Sequence, residues 1–149
     1  MIAHLGLTRK LTSLKGRYEI RGKKAKEAKQ IFQDALEMEK IGVFAVILEC
    51  IPTKVAKLIT ENLKIPTIGV GSGPYCDGQA LITQDLLNLF GKFVPKFVKQ
   101  YADLSKIIEK ALMQFKQEVK DGKFPEESYS FNISDDQFNE LIKIIKKGY

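Results

Sequence analysis

The sequence has no tryptophan, a single histidine and two cysteines among its 149 residues. It also lacks an apolar run of the roughly 20 residues that a membrane-spanning helix needs, and its first residues lack the apolar core of a secretory signal peptide. Cys50 and Cys76 stand in neither a CxxC nor a metal-ligand spacing. We therefore expect free thiols in a cytoplasmic protein that has no membrane partner.

The charged residues point to neither a metal site nor a nucleic-acid site. No group of carboxylates and histidine has the spacing of metal ligands, so we expect no metal site within this chain. The net charge is +6, but the lysines are spread along the predicted helices, without an arginine-rich block or interleaved aromatic residues. This pattern disfavours nucleic-acid binding. With 44% hydrophobic and 28% charged residues, the composition is that of an ordinary globular domain.

Strands and helices are predicted to alternate along the chain. Short apolar segments predict strands at 1–7, 43–50, 67–71 and 78–83. Three- and four-residue spacing of apolar side chains predicts helices at 23–41, 52–63, 85–90, 97–101, 104–120 and 134–149. The polar stretch 8–22 is predicted to be a long loop. Alternation of this kind is typical of a parallel sheet with helices packed outside it.

The four predicted strands are too few for a closed barrel. A complete (β/α)8 barrel takes roughly 250 residues, so we interpret the α/β chain as the C-terminal half of a TIM-type barrel with extra C-terminal helices. The single partial barrel domain would span 1–149, with the half-barrel at 1–101 and the helices at 102–149. We expect side chains such as Val46 and Ile68 to point to the inside of the barrel. An open four-stranded sheet is the alternative.

The run from Val43 to Cys50 is the centre of the predicted sheet. Seven of its eight residues are apolar, and Glu49 is the only charged one. Gly42 before the run and Pro52 after it favour a buried strand that ends where a helix begins. Glu49 then lies at the C-terminal strand edge, where parallel α/β folds bind ligands. Glu49 could equally cap the next helix or pair with a lysine.

Other candidate residues have a structural and a functional interpretation. His4 is predicted to stand at the end of the first strand, where it could contact substrate or serve the fold. The glycines from Gly69 to Gly73 resemble a phosphate cradle, but no Lys-Ser/Thr pair follows, and close backbone approach is the favoured interpretation. Asp77 and Asp85 could be ligands, although their positions favour caps.

Six motifs occur in a fixed order and carry a resemblance to a known family. They are His4-Leu5-Gly6-Leu7-Thr8, Leu48-Glu49-Cys50-Ile51-Pro52, Ile65-Pro66-Thr67-Ile68-Gly69-Val70-Gly71-Ser72-Gly73, Asp77-Gly78-Gln79, Pro95-Lys96-Phe97-Val98-Lys99-Gln100-Tyr101 and Glu118-Val119-Lys120-Asp121-Gly122-Lys123-Phe124-Pro125. Together they resemble ketopantoate hydroxymethyltransferase (3-methyl-2-oxobutanoate hydroxymethyltransferase) over the chain up to about Phe131.

The resemblance implies an enzyme built on a (β/α)8 barrel that assembles into a decamer. The implied reaction transfers a one-carbon unit from 5,10-methylenetetrahydrofolate to 3-methyl-2-oxobutanoate, which gives 2-dehydropantoate for pantothenate and coenzyme A biosynthesis. A Mg²⁺ ion would hold the 2-oxo acid and stabilise its enolate. The resemblance places the proton acceptor at Glu49, and we expect His4 to contact the substrate.

The chain also departs from the family pattern. The family's metal ligands and substrate lysine precede the motif that begins at His4, so we expect neither the Mg²⁺ site nor most 2-oxo-acid contacts here, and the residues that contact folate are not identified. Arg9 and Lys10 replace the usual Pro-Gln, and we expect no family counterpart for the helix at 134–149. The enzyme interpretation includes both a fragment of a longer gene product and one half of a split enzyme, with the missing N-terminal half as a candidate partner. The alternative is a non-catalytic half-barrel fragment or scaffold.

Overall fold

A computed structural model describes residues 1–7, 20–91 and 93–147. The chain forms two compact units that divide after Leu104. Most of the predicted loop at 8–22 lies outside the described residues, and residues 20–22 adopt neither helix nor strand. The division of the chain into one domain with a boundary at residue 101 stays a prediction.

The first unit contains a parallel four-stranded sheet, as the alternating pattern predicted. Its strands lie side by side in chain order, and each neighbouring pair is parallel. The elements are β1 (Ile2–Gly6), α1 (Ala25–Lys40), β2 (Ala45–Glu49), α2 (Thr53–Asn62), β3 (Thr67–Val70), β4 (Gly78–Gln79) and α3 (Thr83–Leu86).

The core of this unit lies between the sheet and its two longer helices. Ile31 and Ala35 of α1 and Ala56 and Ile59 of α2 are buried, as their spacing predicted. They form one cluster with residues of β2. Gly42 follows α1 with a φ of +87°, a backbone conformation that favours glycine and ends the helix before β2 begins.

The two faces of the sheet have different surroundings. Val46 and Leu48 of β2 belong to the core cluster beside α1 and α2. The opposite face, which we call the second face, carries Ile2, His4, Ala45, Ile47, Glu49, Ile68 and Val70. The expectation that Val46 shares a face with Ile68 is wrong. Ile68 is paired with Ile47, and successive residues of a strand point to opposite sides.

Three predicted elements differ from the structure. The predicted strand at 78–83 is only two residues long, and the helix predicted at 85–90 is the four-residue α3 at Thr83–Leu86. The predicted helix at 97–101 is wrong, since this segment contains no helical residue. Phe97 instead packs on Gly71, where an added Cβ would come within 2.6 Å of the phenyl ring. This tertiary contact overrides the apolar spacing on which the prediction depended.

The second unit contains α4 (Leu104–Lys120), a short 3-10 helix (Glu127–Tyr129) and α5 (Asp135–Lys147). Both long helices lie close to their predicted positions. Their apolar faces, predicted to point inward, are exposed, including Ile107, Leu112, Phe115, Phe138 and Leu141. Periodicity shows that these side chains share a face, but it carries no information about what covers that face. None of the helices in the described parts of the chain is both long and apolar enough to cross a membrane.

Gly6 lets β1 and β2 approach closely at their C-terminal ends. Gly6 is paired with Glu49, and the next backbone N–H, that of Leu7, donates to the Glu49 carbonyl oxygen at 3.0 Å. The φ of Gly6 is +101°, and a Cβ added there would overlap that carbonyl oxygen and lie 2.9 Å from Cγ1 of Ile51. Only glycine therefore fits this position without moving the strand end.

Ser72 ties the end of β2 to the loop after β3. Its side chain is fully buried, and its hydroxyl donates to the Leu48 carbonyl oxygen at 2.7 Å. The Ser72 hydroxyl oxygen also accepts a hydrogen bond from the Ile51 backbone N–H at 3.0 Å. One hydroxyl thus satisfies a buried donor and a buried acceptor on either side of Glu49 and Cys50.

We predict that Gly6→Ala destabilises the chain more than Gly42→Ala. Both positions have a positive φ, which costs an alanine about 1–2 kcal/mol, but the space around Gly42 is open while the Gly6 site is blocked by backbone. Urea unfolding followed by circular dichroism measures both variants. Equal losses in the free energy of unfolding would show that the close approach at Gly6 contributes nothing.

We also predict that Ser72→Ala lowers the free energy of unfolding by about 1–3 kcal/mol, because a buried N–H loses its partner. Ser130→Ala is the matched control, since the Ser130 hydroxyl donates to the Glu126 carbonyl oxygen at an exposed site. The control should change the free energy by no more than about 0.5 kcal/mol. A Ser72 variant as stable as the control would show that the two hydrogen bonds of the Ser72 hydroxyl do not stabilise the chain.

Candidate functional site

Glu49 is the last residue of β2 and lies at the C-terminal edge of the sheet, as its position in the sequence predicted. Its neighbours across the sheet are Gly6 on β1 and Val70 on β3, so neither adjacent strand offers a polar side chain directly opposite. The side chain of Glu49 is on the second face, away from α1 and α2, and is 27% exposed. A carboxylate at this place remains accessible to a ligand while its strand is held in the core.

His4 is the polar partner of this carboxylate. Nε2 of His4 is 2.7 Å from Oε2 of Glu49, and the imidazole is 40% exposed. His4 is the third of five residues in β1, and it does not stand at the strand end as expected. It lies two residues before Gly6 on the same face, so the contact is diagonal across two parallel strands. The structure thus joins the two site residues that the sequence offered separately.

The residue after Glu49 has an unusual backbone. Cys50 has a φ of +52°, a left-handed conformation that is uncommon for residues other than glycine. Its N–H donates to the Val70 carbonyl oxygen at 2.8 Å, which continues the strand pairing beyond Glu49. Burial of the thiol, with the nearby charge of Glu49, raises the pKa of Cys50. The thiol is therefore neutral at physiological pH and is a poor nucleophile.

A cavity of about 480 Å³ lies at the same strand edge, beside the turn that contains Cys50. Most of its walls are apolar, and Lys96 is the one charged side chain among the described residues that line it. Its lining residues are Leu7, Ile20, Cys50, Ile51, Pro52, Thr53, Gly71, Phe93, Pro95, Lys96 and Phe97. Neither His4 nor Glu49 lines this cavity, so the carboxylate and the apolar space are separate features of one edge.

The glycine-rich loop after β3 has the structural role that the sequence favoured. An added Cβ at Gly71 would press on the Phe97 ring, and one at Gly73 would come within 2.5 Å of the Thr53 side chain. The loop therefore needs glycine for close packing. Asp77 is also structural, because its Oδ2 accepts hydrogen bonds from the Thr67 N–H at 2.8 Å and the Thr67 hydroxyl at 3.0 Å. Asp85 lies in the first turn of α3.

The described residues do not fit a metal ion. No group of three or more histidine, cysteine, aspartate or glutamate side chains within these residues is arranged to hold one. His4 and Glu49 are bonded to each other and have no third ligand among them. Cys50 and Cys76 are free thiols, and burial raises the pKa of Cys76 as well.

Sequence reasoning missed the pairing of His4 with Glu49, the conformation of Cys50 and the apolar cavity. The pairing had a detectable signal in the sequence. His4 lies two residues before Gly6 on β1, and a histidine at that position can reach the carboxylate that lies opposite Gly6 on β2. The cavity had none, because Phe93, Lys96 and Phe97 follow the last strand by more than ten residues and adopt no regular structure.

Comparison with known proteins agrees with the geometry. The family model for ketopantoate hydroxymethyltransferase matches residues 1–127. Proteins named 3-methyl-2-oxobutanoate hydroxymethyltransferase are 47% identical in Enterococcus faecalis and 45% identical in Clostridium botulinum strain Loch Maree, each over 141 residues. Each match covers 95% of this chain and 51% of the relative. The relative from Heliobacterium modesticaldum is 45% identical over 136 residues.

These matches correct one expectation and establish the family. A match over 141 of 149 residues extends at least as far as Leu141 and so includes part of α5. The expectation that the final helix has no counterpart is therefore wrong. The chain spans about half the length of the curated relatives that it matches. The extent of the family-model match and the level of identity show that the chain belongs to the ketopantoate hydroxymethyltransferase family.

Proposed function

We propose that this chain supplies the proton-abstracting carboxylate of a 3-methyl-2-oxobutanoate hydroxymethyltransferase. The observation that carries the proposal is the position of Glu49, the only carboxylate on the apolar strand β2. It lies at the C-terminal sheet edge with a histidine on one of its oxygens. Relatives at 45–47% identity bear the name of this activity. The partial TIM-type barrel, the decameric assembly and the place in pantothenate biosynthesis belong to the same proposal.

The proposed step is the removal of the C3 proton of 3-methyl-2-oxobutanoate. The proton passes to Glu49, and the C–H electron pair moves into the enolate. The enolate carbon then forms the new carbon–carbon bond to the methylene carbon of the proposed donor, 5,10-methylenetetrahydrofolate. The two C–N bonds of that carbon break with their electron pairs returning to the folate nitrogens, and water supplies the hydroxyl group of the product. The nitrogens take up one proton from that water and the proton removed from C3, which leaves tetrahydrofolate. Glu49 suits the first step because it is partly shielded from water yet accessible from the second face.

The described residues offer no set of ligands for the Mg²⁺ ion that the resemblance implies. The step that we propose for this chain is therefore the proton transfer from the substrate to Glu49. We assign the Mg²⁺ site, as part of the proposal, to the half of the family's length that this chain does not span. No observation favours the alternative of a non-catalytic scaffold, and family membership speaks for an enzyme.

We predict that Glu49→Gln slows the exchange of the C3 proton with solvent deuterium by about 10²- to 10⁴-fold, the usual loss for a general base. The assay uses the chain combined with the complementary half of the Enterococcus faecalis relative, and NMR follows the substrate. Glu61→Gln is the matched control, because Glu61 lies on α2 in an exposed pair with Lys57 at 3.7 Å. Unchanged exchange in the Glu49 variant would remove Glu49 from this role.

We further predict that the chain alone self-associates and that adding the complementary half gives a compact mixed species. β1 is an edge strand, and Ile2 on its second face is exposed. An unpaired strand edge with apolar side chains promotes association. Sedimentation velocity should show weaker self-association for Ile2→Lys. The control Ile41→Lys, at an exposed position after α1, should behave as the parent. A parent chain that sediments as a monomer would contradict the prediction.

A further inference from the structure

We propose that His4 is a positioning residue for Glu49. Nε2 of His4 holds Oε2 of the Glu49 carboxylate, so that Oε1 of Glu49 faces the proton to be removed. The inference rests on the proposed function and assigns His4 a role different from the substrate contact expected from the sequence. The contact that supports it is the 2.7 Å approach of Nε2 to Oε2. This distance is typical of a strong, charge-assisted hydrogen bond.

The backbone register makes this contact geometrically specific. His4 is paired with Ile47, and Gly6 with Glu49, so His4 and Glu49 are diagonal neighbours on the second face. A Cβ added at Gly6 would overlap the Glu49 carbonyl oxygen, so glycine is needed for the two strands to keep this pairing. Both residues belong to strands whose backbone bonds continue past the site, through Leu7 N–H to the Glu49 carbonyl oxygen. The imidazole is therefore presented by a rigid element.

Among the residues that the structure describes, His4 is the one hydrogen-bond or ion-pair partner of the Glu49 carboxylate. A carboxylate on a flexible glutamate side chain can place either oxygen toward a substrate, and fixing one oxygen removes this freedom. Misplacement of a reacting group by about 1 Å can cost about 10²-fold in rate. Loss of His4 should therefore slow proton removal without weakening substrate binding.

The first test compares two substitutions of His4 in the combined enzyme. His4→Leu removes the donor, and we expect kcat for C3 proton exchange to fall by about 10- to 100-fold with KM for the 2-oxo acid unchanged. His4→Gln retains an amide donor of similar reach and should restore kcat to within about threefold of the parent. A rise in KM with kcat unchanged would show that His4 contacts the substrate and would overturn the proposal.

The second test is a double-mutant cycle. If His4 acts through Glu49, then His4→Leu should have no further effect on the exchange rate when Glu49→Gln is already present. Equal losses in both backgrounds would show that His4→Leu only damages the fold, and the proposal would fail. Absence of exchange in the parent enzyme would instead refute the proposed function.

The third test needs no activity and uses the full chain. His4 is the only histidine, so its imidazole ¹⁵N resonances need no assignment. Glu49→Gln should shift these resonances at neutral pH, because it replaces the charged partner of Nε2. Glu61→Gln should leave them unchanged. Resonances that are the same in all three proteins would show that the contact is absent in solution and would overturn the proposal.

Discussion

The close parallel pairing of β1 with β2 at Gly6 and Glu49 is the constraint on which the rest of the site depends. It lets the backbone of Leu7 bond to the carbonyl of Glu49 and fixes how far each strand extends. The same register places His4 and Glu49 as diagonal neighbours on the second face, with Nε2 of His4 2.7 Å from Oε2 of Glu49. A Cβ at position 6 would overlap the Glu49 carbonyl oxygen and separate the strand ends.

The site is stabilised from the other side by buried polar contacts. Ser72 bonds to the residues on either side of the turn after β2, and Asp77 bonds to the start of β3. The C-terminal end of β2, which carries the carboxylate, is therefore bonded to the loop after β3. This arrangement explains how a chain with few polar side chains in its core can hold one reactive group in a defined place.

The sequence predicted the parts of the structure that depend on local patterns. The apolar run around β2, the stripe of Ile31 and Ala35 and the glycine at Gly42 were sufficient for the order of strands and helices and for the position of Glu49. The patterns did not show which face Val46 occupies, because a run of apolar residues has no alternation from which to read a face. They also failed at Phe97, whose conformation is determined by its distant contact with Gly71.

Cys50 adds a chemical consequence to its structural role. A thiol directly after the proposed base is a hazard, because its oxidation by peroxide to a sulfinate would place a second negative charge beside the first. Such oxidation proceeds through the thiolate, which the burial of Cys50 and the charge of Glu49 both disfavour. The carboxylate therefore protects its own site, since its charge disfavours the reactive form of the thiol that follows it.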